Sequence, residues 1–293
     1  MAKGSPSALD RIFGFGKALI GNLHLPPLPG TPRYEGDTVA QIAERALADL
    51  AAYQDGGMDG VVIENHGDIP FVKPGQIGPE IIAAMAAIAE RLSSEARVPY
   101  GINLLANGAI GALAIAKATG ADFVRVNQWT NSYVSNEGVL DGEAGAALRF
   151  RRSIGAENVA VFADVHVKHG AHAITQDRGI DELARDVDFF DADVAIVTGN
   201  RTGDAIPVEE IAAIREGTRL PVIGGSGMTA ANAPELLRLL DGAIVGSSLK
   251  LADHWANPVD PERVAAFIKV ARKPDPAAGI DMGRSSAGAG SDE

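Results

Sequence analysis

Pro221-Val222-Ile223-Gly224-Gly225-Ser226-Gly227-Met228-Thr229 and Gly242-Ala243-Ile244-Val245-Gly246-Ser247-Ser248 are two short apolar runs, each breaking on glycine and serine. Such a run reads as a buried parallel strand that ends in a tight turn. The same grammar recurs upstream at 18–25, 60–65, 100–105, 123–127, 159–167 and 194–198, with Ala-rich helical segments between the runs. Eight strand–helix units predict an α/β chain folded as a single (β/α)8 TIM barrel, with the two quoted runs as strands seven and eight. An open, doubly wound sheet is disfavoured: no G-x-G-x-x-G follows the first strand, and the alternation continues evenly to the end.

The helices carry readable starts and stops. Asp37 or Thr38 caps a helix that runs through Asp55 and stops at Gly56-Gly57. Pro79 sits in the first turn ahead of Glu80, and Pro207 is expected to do the same ahead of Glu209 and Glu210. Asn107 or Gly108 opens another helix, which stops near Gly120. The polar segment 129–140 reads as an excursion after the fourth strand, and 260–272 as a last amphipathic helix. The expected organisation is a flexible N-terminus over 1–10, a barrel with its C-terminal helix over 11–273, and a disordered Gly/Ser/Ala/Pro/Asp-rich tail over 274–293.

Composition narrows the function. The 293 residues suffice for one barrel, and 46% hydrophobic with 22% charged residues is ordinary for a globular chain. A net charge of −12 argues against nucleic acid as a partner, which needs a cationic surface, yet a few Lys, Arg and backbone N–H groups still make a local anion pocket. Absent cysteine excludes disulfides, thiolate ligands and a Cys nucleophile; it fits a reducing compartment, and a cytoplasmic location is expected. No secretory signal or membrane-spanning stretch is read, since the most apolar helix, 79–96, is broken by Glu80, Glu90 and Arg91. Peripheral membrane association stays open, and a homo-oligomer built through the helical exterior is expected.

Barrel enzymes place their chemistry at the C-terminal strand ends. Loops after strands seven and eight commonly hold phosphate on backbone N–H groups, so Gly224, Gly225, Ser226, Gly227, Gly246, Ser247 and Ser248 form the candidate phosphate site. The alternative is that they are only tight turns closing the barrel. On the fifth strand, alternation puts Asp164, His166 and Lys168 on one face, expected to point into the barrel mouth. His166, Lys168, Glu64, Asp164 and His24 are the catalytic candidates; Asn22, Asn65, Asn103, Asn107, Arg125, Asn127 and Thr198 are the substrate-binding candidates. Asn200, Arg201 and Asp204 follow strand six, and Asp68 follows strand two. No cofactor is required by the sequence, although His24, Glu64 or His66, Asp164 and His166 could ligate a divalent metal from three strands. A Schiff base on Lys168 is an equal alternative, whereas a serine nucleophile lacks its G-x-S-x-G elbow.

A resemblance adds to this reading. His24-Leu25-Pro26-Pro27-Leu28-Pro29-Gly30, Glu64-Asn65 with Asp68, Gly101-Ile102-Asn103 with Asn107, Arg125-Val126-Asn127, Asp164 with Lys168-His169, and Gly224-Gly225-Ser226-Gly227 together resemble the BtpA/SgcQ family over roughly residues 10–273. The resemblance implies a phosphate-binding barrel. It also implies two functional labels: a factor for photosystem I biogenesis associated with thylakoid membranes, and relatives that look like sugar-phosphate metabolism proteins. Residue roles are therefore taken from strand position and chemistry. The expected function is an enzyme acting on a phosphorylated small metabolite by proton transfer, as in isomerisation, epimerisation or lyase chemistry. Its alternatives are a non-catalytic assembly factor or a sensor of a phosphorylated ligand.

Overall fold

Eight parallel strands close on themselves in the order β1 (Ala18–His24), β2 (Gly60–Glu64), β3 (Tyr100–Asn103), β4 (Phe123–Val126), β7 (Ala160–Asp164), β8 (Val194–Val197), β9 (Val222–Gly224) and β10 (Gly242–Val245). Between β4 and β7 in the chain, β5 (Ser132–Ser135) and β6 (Gly138–Asp141) form a separate antiparallel hairpin. Pairing of Ala18 with Gly242 and of Ile20 with Gly60 joins β1 to both neighbours and completes the barrel. The computed structural model describes residues 6–168, 170–199 and 206–273. The expected tail 274–293, the first five residues of the expected flexible N-terminus, His169, Asn200, Arg201 and Asp204 lie outside the described residues.

The helices are α1 (Ala8–Phe13), α2 (Val39–Asp55), α3 (Pro79–Ser93), α4 (Ala109–Thr119), α5 (Ala144–Ser153), α6 (Ile180–Phe189), α7 (Val208–Gly217), α8 (Ala233–Leu239) and α9 (Pro261–Ala271). Local chemistry sets their ends. Thr38 caps α2 in a reciprocal box with Gln41, and Asp260 caps α9 by accepting from the N–H groups of Glu262 and Arg263. Gly108 precedes α4 and Gly120, left-handed at φ 78°, ends it. Pro79 is the first residue of α3, as its sequence position suggests, but Pro207 stands one residue before α7 as its N-cap.

Two features go beyond the strand–helix alternation. The polar excursion after β4 is the hairpin, and its Val134 bridges to Ala171, which ties it to the loop after β7. The helix α1 begins earlier than residue 11, where periodicity alone starts the barrel, because six residues carry too little pattern to read. Its Ala8 and Leu9 are buried with the barrel interior.

Alternation along each strand sorts the core into two shells. Leu19, Val61, Ile63, Ile102, Val124, Val161, Ala195 and Val245 face the helices. Ala18, Ile20, Val62, Phe123, Phe162, Ile196, Ile223 and Ile244 fill the barrel. Phe123 and Phe162 stack with centroids 4.3 Å apart, a contact worth about 0.5–1.5 kcal/mol beyond its buried area. Gly101 makes room for them: a Cβ there would lie 2.3 Å from Phe123. This apolar plug closes the lower barrel, so whatever the inward positions carry one step further along is presented at the C-terminal mouth.

Candidate functional site

One step further along, those inward positions turn polar. Asn22 and His24 come from β1, Glu64 from β2, Asn103 from β3, Arg125 and Asn127 from β4 and its end, and Asp164 from β7. Gly225 and Gly246 follow β9 and β10. Asn22, His24, Glu64, Arg125, Asn127, Lys168, Gly225, Ser226, Gly227, Gly246, Ser247 and Ser248 line one cavity, with Tyr133 and Glu137 of the hairpin region on its wall.

Two buried carboxylates organise this layer. Asp164 receives a two-pronged contact from Arg125, Nε to Oδ1 and Nη2 to Oδ2, both 3.0 Å, and a third bond from Asn127 at 3.2 Å. Both ion-pair partners are almost fully buried, so the fork geometry and the extra amide offset the cost of desolvating the charges. Burial opposes the Arg125 charge, but Asp164 and Glu64 hold its pKa above the usual value. Asp164 is therefore saturated by protein donors and positions Arg125.

Glu64 is held at both oxygens. Asn103 donates to Oε2 at 2.6 Å and Asn22 at 3.4 Å, while His66 Nδ1 lies 2.8 Å from Oε1. Burial opposes its charge, yet the His66 hydrogen bond, the two neighbouring imidazoles and the Arg125 guanidinium hold the carboxyl well below the usual range. His24 Nδ1 lies 3.1 Å from the Trp255 carbonyl. Its burial, outweighing nearby Glu64, pushes the imidazole down to about 3, so the ring is neutral. Lys168 is half-buried; desolvation first, then Arg125, lowers its pKa against the opposing pull of Glu64 and Asp164.

The opposite corner is built from backbone. Among the described residues, the N–H groups of Ser226, Gly227, Ser247 and Ser248 have no backbone acceptor, and the buried Ser226 hydroxyl has no partner. Ser248 Oγ donates to the Met228 carbonyl at 2.8 Å and ties the two loops together. Asn232 fixes the first loop through Gly227 O, 2.9 Å, and Thr229 N, 2.7 Å. Side chains would crowd this corner: a Cβ on Gly225 would lie 2.4 Å from Ile196, and one on Gly246 would lie 3.1 Å from His24. Unused backbone donors on glycine-rich turns are the kind of donor set that anions use.

Several expected positions fall elsewhere. His166 does not share the inward face with Asp164: β7 ends at Asp164, and the chain bends before the alternation can continue. His166 instead packs on His172, 3.9 Å between centroids, with Nδ1 3.1 Å from Glu210 on α7. Its place in a metal set with His24 and Glu64 falls with that. Gly224 faces Ile206 and Leu240 outside the barrel. Asn65 is spent on Asp68, 2.8 Å, and on the backbone of Leu105, and Asn107 on the backbone of Gln128 and Asp141. The Thr198 hydroxyl bonds the His166 carbonyl at 3.1 Å. These three hold loops in place.

Other contributors carry little sequence signal. Lys250 is 1% exposed and reaches Asp49 at 3.4 Å, an ion pair across most of the chain. Tyr133 joins the cavity only because the hairpin folds back, stacking on His172 at 5.4 Å. The Trp255 contact to His24 is a backbone carbonyl, which no side-chain pattern reveals.

The profile of the BtpA family matches residues 15–273. A mitochondrial protein of Caenorhabditis elegans is 40% identical over 86% of this chain and 91% of its own. The photosystem I biogenesis protein BtpA of Synechocystis is 37% identical over 86% of each chain. A solved Mycobacterium tuberculosis tryptophan synthase chain superposes with a TM-score of 0.58 at 16% identity, covering 92% of this chain and 100% of that one; this likeness is one of fold.

Proposed function

The chain belongs to the BtpA family, and we propose that it is an enzyme that binds a phosphorylated small metabolite and moves a proton next to that metabolite's carbonyl group. The observation that carries the reading is the corner of acceptor-free N–H groups around the unpartnered Ser226 hydroxyl, in the same cavity as Lys168. The phosphate sits on Ser226, Gly227, Ser247 and Ser248. Lys168, whose pKa is lowered, takes and returns the proton as general base and acid. Arg125 and Asn127, fixed by Asp164, face the charge that develops on the substrate oxygen. Glu64 is a poor proton acceptor with its pKa held low, so Lys168 is the stronger candidate.

A second reading, a non-catalytic biogenesis factor, is favoured by the name of the Synechocystis relative. Among the described residues no helix is long and apolar enough to cross a membrane. A thermal-shift screen of sugar phosphates, inorganic phosphate and their phosphate-free counterparts separates the two. A ligand at a hundredfold excess over its Kd stabilises the fold by about 2.7 kcal/mol. The enzyme reading expects a response that requires the phosphate group. Silence across the screen supports the factor reading.

A further inference from the structure

Beside the phosphate corner, the cavity holds three side chains from β1, β2 and the following loop whose arrangement calls for a positive ion. We propose that His24, Glu64 and His66 bind a divalent first-row transition cation. One candidate ligand atom from each lies within 4.8 Å of the others. The edge of a tetrahedron with ~2.1 Å bonds is roughly 3.4 Å, so small side-chain rotations bring the three to a common centre.

The hydrogen bonding supplies a second, independent argument. A carbonyl only accepts, so the 3.1 Å contact with Trp255 O puts the His24 proton on Nδ1. Nε2 then faces Glu64 Oε1 at 3.6 Å, the same oxygen that His66 Nδ1 approaches at 2.8 Å, so a nitrogen of each ring converges on one carboxylate oxygen. At 3.6 Å the Nε2–Oε1 gap is longer than a hydrogen bond, and a cation drawn between the two atoms is held by both. The outer shell is that of a metal site: a backbone carbonyl orients His24, and Asn103 and Asn22 hold the other Glu64 oxygen. Among the described residues, both amides keep a buried oxygen without a partner, Oδ1 of Asn22 and Oδ1 of Asn103.

Two imidazoles and one carboxylate suit Zn2+, Co2+, Mn2+ or Fe2+ over Ca2+ or Mg2+. Such a cation polarises a carbonyl or hydroxyl oxygen of a bound ligand. The site uses none of the phosphate-corner residues, so either can fail without the other.

The test titrates chelator-treated full-length protein with CoCl2, read by visible absorption and calorimetry, with ZnCl2 as competitor. The expected result is one Co2+ per chain, displaced by Zn2+, and at least tenfold weaker binding in Glu64→Gln and in the less buried His66→Gln, whose folding is checked by circular dichroism. Ser226→Ala keeps Co2+ binding, and metal-free Glu64→Gln keeps its response to inorganic phosphate. Wild-type protein that binds no Co2+, or binds it no better than folded His66→Gln, overturns the proposal.

Discussion

Ser226 gives the most discriminating substitution, because the fold and the proposed ligand ask opposite things of it. Its hydroxyl is buried without a partner among the described residues, a state that costs about 1–3 kcal/mol when nothing compensates. Ser226→Ala removes that cost and breaks no hydrogen bond to any described residue. The free variant should be as stable as the parent or more stable, by up to about 1 kcal/mol in urea unfolding. With phosphate bound, the same hydroxyl donates to a charged oxygen, worth about 1.5–3 kcal/mol. At about 1.4 kcal/mol per tenfold, the Kd for inorganic phosphate should rise roughly 10- to 100-fold in calorimetric titration. Ser226→Asp goes further: a carboxylate ~4 Å from the phosphate at an effective dielectric of ~20 costs about 4 kcal/mol per charge pair, roughly a thousandfold. An alanine variant that loses stability while binding phosphate like the parent would make Ser226 a residue of the fold and not of a ligand site.

Three further outcomes follow from the same layer. Lys168→Met should raise stability by about 1 kcal/mol, since the ammonium is desolvated with no direct ion pair among the described residues, while abolishing turnover. The folded-state pKa of Lys168 lies below its unfolded value, so the unfolded chain holds the extra proton between them. Parent stability relative to this variant therefore climbs as pH rises through that window towards 10.5, and a flat difference in pH-dependent urea unfolding would count against the placement. Arg125→Met strands the buried Asp164 charge and should cost about 3–5 kcal/mol, with Arg125→Met/Asp164→Asn recovering more than half of the loss in the same assay. His166→Ala should leave phosphate affinity within about twofold by calorimetry, because the side chain packs on His172 and Glu210.

The barrel and most of its polar layer were legible because both rest on period-two alternation. Ile20-x-Asn22-x-His24, Val62-x-Glu64 and Phe123-x-Arg125-x-Asn127 each step from the apolar plug into the mouth on one face, and sequence spacing alone tells that. The same rule misplaced His166, since alternation has no meaning once β7 stops at Asp164. Asn65 and Asn107 were legible as strand-end polar residues, but their engagement with loop backbone depends on where two loops meet. The Lys250–Asp49 pair and the Trp255 carbonyl on His24 join distant parts of the chain, one of them through a group every residue carries. Neither leaves a local pattern.

The most direct test of the account is proton exchange, which needs no knowledge of the product. The protein is incubated in D2O with phosphorylated aldoses and ketoses and with their phosphate-free counterparts, and the C–H signals next to each carbonyl are followed by proton NMR. Deuterium wash-in is expected for a phosphorylated compound, none for its phosphate-free counterpart, and none with Lys168→Met. Wash-in that persists in Lys168→Met, or a phosphorylated compound that binds tightly yet exchanges no proton, would contradict the proposal.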